Sequence, residues 1–255
     1  MTNFFLLLQR ELWESWANCK VVIVFSSLIA ISIAAPYIDY NSLYRVFVAS
    51  ENFSYPELLR YFYIFLELIL IVFIPFMVMG TVASEVKNSS AASLLVKPVG
   101  RAGYILSKYL MYMLIFGIPT TIAMVLSAFL ANTLALEPYS LSRLGAPIGL
   151  AWVFISFAVS FVMLISTITN RQVVAGAIGL SVLLAGFAFS YAPGINEFFP
   201  SSLFAWMQNI LNPPIPPVVQ NALDPSPAWR AFNISLISSV VCILVSILII
   251  RRKEL

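Results

Sequence analysis

The chain has 255 residues, of which 61% are hydrophobic and 10% are charged, with a formal net charge of +3. Soluble domains average roughly 45–50% apolar and 25% charged residues, so this composition excludes a water-soluble globule. The long apolar runs lack the alternating polarity of barrel strands, and they therefore predict an all-α membrane protein.

The first predicted element is a short amphipathic helix over residues 2–16. A helical period places an aromatic-rich apolar stripe on one of its faces, and Leu7 lies off this stripe, which consists of Phe5, Leu8, Leu12 and Trp16. Such a helix suits the membrane surface. The alternative is a cytosolic extension of the first membrane span.

Six apolar stretches come close to or exceed the roughly 20 residues that a membrane-spanning helix needs. They cover residues 21–38, 61–81, 104–131, 147–169, 173–191 and 231–250. Together they predict a single transmembrane domain over residues 1–255, in a multi-pass protein of the cell membrane.

The distribution of lysine and arginine predicts the orientation of these spans. With six spans, one side of the membrane holds ten of the 14 basic residues, and the other side holds Arg45, Arg60, Arg143 and Arg230. Because the more basic side of a membrane protein faces the cytosol, we expect both termini to be cytosolic.

The outer segment over residues 192–230 precedes the last span and is rich in proline, including the run at 213–217. Its apolar, aromatic part over residues 198–211 is too short to cross the membrane. We predict a re-entrant or interfacial helix here, with an aromatic gate that favours amphipathic cargo and includes Phe198, Phe204 and Trp206.

The polar segment over residues 82–103 separates the second and third spans and concentrates charge in a chain that has little. Ser89 or Ser90 can cap a short helix, and Pro98 would end it. An ordinary positive-inside loop that faces lipid headgroups is the alternative reading of its lysines.

The spacing within this segment resembles the coupling loop of the ABC type-2 permease superfamily. The matching residues are Glu85, Leu94, Leu95, Lys97, Pro98, Val99, Arg101 and Lys108. The chain departs from the family pattern at Ser89 and Ser90, where Gly-Thr is common, and at Ala92, where glutamate is frequent.

The resemblance implies a half-transporter permease that exports its cargo. Two such subunits, identical or paralogous, would form the path between them, surrounded by membrane lipids. Separate ABC ATPase subunits would bind ATP and Mg²⁺ and act on the coupling residues Glu85, Leu94, Leu95, Lys97, Pro98 and Arg101.

Catalysis by this chain is not expected. It has no histidine, which removes the commonest general base and metal ligand. It also has no phosphate-binding loop of the Walker type. We therefore predict no catalytic, metal or cofactor site, no ATPase activity and no nucleic-acid partner.

Glu67 lies within the second predicted span, where a charge costs at least ~2.5–3.5 kcal/mol at the bilayer centre. One interpretation makes it a cargo or proton site in the dimer cavity. In the other, it is neutral or reaches Arg60 or Tyr63 near the interface. Two competing functions also stay open: an ion-coupled carrier that uses Glu67, and a membrane scaffold or assembly subunit.

Overall fold

The structure is a computed structural model, and it describes residues 2–46, 59–83, 101–134, 144–169, 171–190, 195–211 and 226–252. Within these ranges the chain forms eight α-helices and a 3-10 turn at Asn196–Phe198. The helices are α1 Thr2–Ala17, α2 Lys20–Val46, α3 Arg60–Val78, α4 Arg101–Leu134, α5 Gly145–Ile168, α6 Gln172–Phe189, α7 Ser202–Leu211 and α8 Ser226–Arg252. The all-helical fold class is confirmed.

Five of these helices, α2, α4, α5, α6 and α8, are long and apolar enough to cross a membrane. The apolar part of α3, Phe62–Val78, is shorter. Its helical rise gives roughly 26 Å, slightly less than a hydrocarbon core of roughly 30 Å. The chain is thus a multi-pass membrane protein, but the predicted count of six spans is not confirmed.

Helix α5 lies at the centre of the bundle and packs against α3, α4, α6, α7 and α8. Small buried residues along it, including Ala151, Ala158 and Ser160, allow its neighbours to come close. Larger buried side chains such as Phe154 and Val162 then fill the space between the helices. Helix α5 thus connects five of the other described helices.

Helix α8 packs most extensively against α5, and its buried face is a row of small residues. Three serines in this row, Ser235, Ser239 and Ser246, each donate a hydrogen bond of 2.7 Å to the carbonyl four residues earlier. Their hydroxyls are therefore satisfied within the helix. This allows close helix contact without leaving buried donors unpaired.

The segment over residues 195–211 packs on α5 and α8, at the end of the bundle away from the turn between α5 and α6. Phe204 of α7 packs edge-to-face on Phe154 of α5, with ring centroids 5.0 Å apart. Phe199 stacks on Phe189 of α6, and Arg230 of α8 bonds to Glu197 at 2.7 Å. The predicted re-entrant character of this segment is not confirmed, and the proline run at 213–217 lies outside the described residues.

Helices α4 and α5 approach closely where Gly117 faces Trp152. A Cβ atom added at Gly117 would come within 2.6 Å of the Trp152 ring. The Trp152 indole donates a hydrogen bond of 3.0 Å to Thr121, so the ring cannot move away without straining that bond.

We therefore expect Gly117→Ala to lower the free energy of unfolding by about 1–3 kcal/mol, the usual cost of overpacking a core. Thermal unfolding in detergent would measure it. Gly149→Ala is the matched control, because a Cβ atom at that position meets nothing within 4 Å. Equal destabilisation by the two substitutions would contradict the close packing of α4 on α5.

Candidate functional site

A cluster of polar contacts surrounds the residues that follow α3. We call residues 79–83 the exit segment, because they lead from α3 into the predicted coupling loop. Ser166, two residues before the end of α5, donates a hydrogen bond of 2.9 Å to the carbonyl of Met79. It also accepts bonds from the backbone amides of Val82 and Ala83, at 3.3 and 3.2 Å. A single hydroxyl therefore binds three backbone groups of the exit segment.

Tyr112 of α4 holds the same stretch of chain from another side. Its phenol group donates a hydrogen bond of 2.9 Å to the carbonyl of Met77. The Thr81 hydroxyl lies 3.1 Å from the phenol oxygen and 2.6 Å from the carbonyl of Val78. Because Tyr112 belongs to the helix that follows the predicted coupling loop, these bonds tie the chain before the loop to the chain after it.

The start of α6 completes the surroundings of the exit segment. The Gln172 side chain lies over Gly80, where an added Cβ atom would come within 2.9 Å of its amide nitrogen. Met79 in turn lies against Gly176, with its sulfur 2.5 Å from the place of a Cβ atom. Glycine at both positions therefore lets the exit segment sit close against α6.

The N-terminal helix α1 is attached to the same end of the bundle by a buried ion pair. Lys108 of α4 is 2% exposed, and its Nζ atom lies 3.1 Å from both carboxyl oxygens of Glu11. The same ammonium group lies 5.1 Å from the centre of the Tyr104 ring. One turn further along α1, the Ser15 hydroxyl contacts the sulfur of Met111 at 3.1 Å.

The ion pair explains the pattern of side chains along α1. Leu7, Glu11 and Ser15 recur every four residues and form the buried face that packs on the bundle. The large apolar side chains on other faces point outward, among them Phe5, Trp13 and Trp16. Leu7, which does not fit the apolar stripe in the sequence, thus belongs to the bundle-facing side of the helix.

Of the six predicted coupling residues, Arg101 is the one that the structure describes. Glu85, Leu94, Leu95, Lys97 and Pro98 lie outside the described residues. Arg101 is the first residue of α4. Their roles stay predictions. Ser166 and Tyr112 bind the chain that enters the loop, and Lys108 pairs with Glu11 on the helix that follows it.

The four residues predicted to line a cavity or gate lie in different surroundings. Glu67 is buried near Ser201, which lies just before α7, and its Oε1 atom has no hydrogen-bond partner among the described residues. Phe204 is fully buried against Phe154, Trp206 is half-buried, and Phe198 is exposed. Their gating role stays a prediction.

Sequence reasoning missed Ser166, Tyr112 and Glu11. Serine and tyrosine near the ends of apolar spans are too common to single out without knowing their partners. Glu11 carried a stronger signal, because an acidic residue four positions after Leu7 and four before Ser15 lies on one helical face. Among the described residues, no group of three or more histidine, cysteine, aspartate or glutamate side chains could hold a metal ion.

Comparison with known proteins identifies the family. The sequence profile of the "ABC-2 family transporter protein" matches residues 14–250 of this chain. A transmembrane protein of Bacillus subtilis (strain 168), YxlG, described as uncharacterized, is 26% identical over 222 residues. That alignment covers 80% of this chain and 83% of YxlG. Because the family profile covers nearly the whole chain, this protein belongs to the ABC-2 family of transporter proteins, the multi-pass membrane subunits of ABC transporters.

Proposed function

We propose that this chain is a permease subunit of an ATP-driven ABC exporter. Two copies, or one copy and a paralogue, form the translocation path. Separate ATPase subunits bind ATP and Mg²⁺ and drive transport through the loop over residues 82–103. The predicted orientation places this loop and both termini in the cytosol.

The observation that best supports coupling through this loop is the attachment of the chain that enters it to two membrane helices. Ser166 holds the exit segment to the central helix α5, and Tyr112 links α3 to α4. A loop attached in this way can pass a displacement to two membrane helices at once.

The charge at this end of the bundle also suits an intracellular partner. The described basic residues that the predicted topology places on this side include Arg10, Lys20, Arg171, Arg251 and Arg252. They can meet acidic groups of an ATPase subunit or the anionic headgroups of the cytosolic leaflet.

Purification of the tagged chain from its native host in mild detergent tests this function, followed by mass spectrometry of the bound proteins. We expect a stoichiometric ATPase subunit that contains a phosphate-binding loop. Absence of any such subunit, under conditions that keep other ABC complexes intact, would contradict the proposal. A different stoichiometric partner would favour the scaffold function instead.

A further inference from the structure

Ser166 stands out among the buried serines because its hydroxyl bonds to three backbone groups of a different part of the chain. Several others, such as Ser160 and Ser127, donate only to a carbonyl of their own helix. Ser166 is equally buried, at 1% exposed, but its three bonds all go to the exit segment. A hydroxyl has one donor and two acceptor sites, so these bonds use its full capacity.

The bonds satisfy backbone groups that the end of α3 leaves without helical partners. The amide of Thr81 bonds to the carbonyl of Val78 at 3.0 Å, which turns the chain sharply after the helix. The buried amides of Val82 and Ala83 and the carbonyl of Met79 then need partners outside α3. Ser166 supplies all three, and it thereby sets the direction in which the chain leaves α3.

We propose that Ser166 is a positioning residue that fixes the path of the coupling loop and transmits its displacement to the central helix α5. This inference rests on the proposed function. Ser166 lies at the end of α5 next to the exit segment, while α5 packs against five other helices. A displacement of residues 82–83 therefore acts first on a helix that contacts five others.

Tyr112 is the second contact in this arrangement and acts on α4. Its bond to Met77 lies one residue before the end of α3, and the Thr81 hydroxyl adjoins its phenol group. Ser166 and Tyr112 hold the exit segment from two helices, so its position is defined in more than one direction. Loss of either contact leaves the loop attached but able to take several paths.

The direct test measures the path of the loop. Spin labels are placed at Lys87→Cys, four residues beyond the exit segment, and at Ile178→Cys, on the outward side of α6. The background is Cys19→Gly with Cys242→Ala; glycine suits position 19, where φ is 56°. The full chain is reconstituted in lipid nanodiscs, and pulsed electron paramagnetic resonance gives the distribution of distances between the labels.

We expect Ser166→Ala and Tyr112→Phe each to broaden this distribution. Ser160→Ala is the matched control, because Ser160 is on the same helix, equally buried and bonded only to Phe157 of its own helix. It should leave the distribution unchanged. An unchanged distribution in Ser166→Ala, or equal broadening in the control, would overturn the proposal. Tyr112→Phe decides the outcome alone if Ser166→Ala fails to fold.

A second readout measures transmission in the complex with its ATPase. The ratio of ATP hydrolysis in the complex to that of the isolated ATPase should fall by about two- to thirtyfold in Ser166→Ala, the range given by residues that modulate coupling. The amount of bound ATPase should not change. An unchanged ratio would overturn transmission by Ser166. Failure of the unmodified chain to bind any ATPase would contradict the proposed function, while the distance measurement would still decide the positioning role.

Discussion

Removal of the charge on Glu11 is expected to detach the N-terminal helix from the bundle. Glu11→Gln leaves the Lys108 ammonium group buried without its counter-charge. Removing one partner of a buried ion pair typically costs about 3–5 kcal/mol. Since, among the described helices, α1 contacts only α2 and α4 extensively, we expect this cost to appear as opening of α1 rather than as unfolding of the whole bundle.

A cysteine at position 7 measures this opening, because Leu7 is buried against the bundle next to the ion pair. A cost of about 3 kcal/mol corresponds to more than a 100-fold increase in the open population. In the background of Cys19→Gly with Cys242→Ala, the reaction rate of Leu7→Cys with a soluble maleimide should rise accordingly when Glu11→Gln is added. The double neutral variant Glu11→Gln with Lys108→Met should react more slowly than Glu11→Gln alone, because no unpaired charge stays buried.

The exposed pair on the same helix is the control for this prediction. Arg10 and Glu14 lie 2.7 Å apart, but about half of each side chain is accessible to solvent. Exposed pairs of this spacing contribute about 0.3–0.5 kcal/mol, so Glu14→Gln should change the labelling rate about twofold at most. Similar rates for Glu11→Gln and Glu14→Gln would show that the buried pair does not hold α1 in place.

The helices that could be predicted from the sequence are those with the longest apolar runs. Helices α4, α5, α6 and α8 coincide with predicted spans to within a few residues at most ends, because long apolar runs permit little else in a membrane. The largest deviation is at the first predicted span, which ends at residue 38 whereas α2 continues to Val46. The second predicted span also runs three residues too far. The helix ends at Val78 because Gly80 and Thr81 form a turn, whereas hydropathy alone continues to Thr81.

Contacts between helices could not be predicted in the same way. Lys108 matches the lysine of the family pattern that follows the coupling loop. Nothing in the sequence indicates that its side chain is buried in the bundle. Its partner Glu11 lies 97 residues away in sequence, so only the packing of α1 on α4 reveals the pair. Phe204 likewise belonged to an aromatic segment, but its burial depends on Phe154 of α5. Periodicity indicates which face of a helix is apolar and does not indicate which other helix covers it.

The largest functional effect is expected from charges placed on the apolar pair of the coupling loop. Leu94→Asp with Leu95→Asp should abolish the binding of the ATPase subunit or uncouple its ATP hydrolysis from transport. Burial of a leucine contributes about 1.5–3 kcal/mol, and a buried, unpaired carboxylate adds a further cost. Two such changes should lower the affinity of the ATPase subunit for this chain by at least about 1000-fold. The ATPase recovered with the tagged chain in mild detergent measures this loss.

Ser89→Asp with Ser90→Asp is the matched control, because it adds the same two charges to the same loop at polar positions. Aspartate also caps a helix as well as serine does, so a short helix that begins here would be kept. We expect this variant to retain its ATPase. Loss of the ATPase in both variants would mean that charge in the loop, rather than an apolar contact of Leu94 and Leu95, disrupts the complex. Retention and normal coupling in both would exclude these leucines as the contact through which the ATPase acts on the bundle.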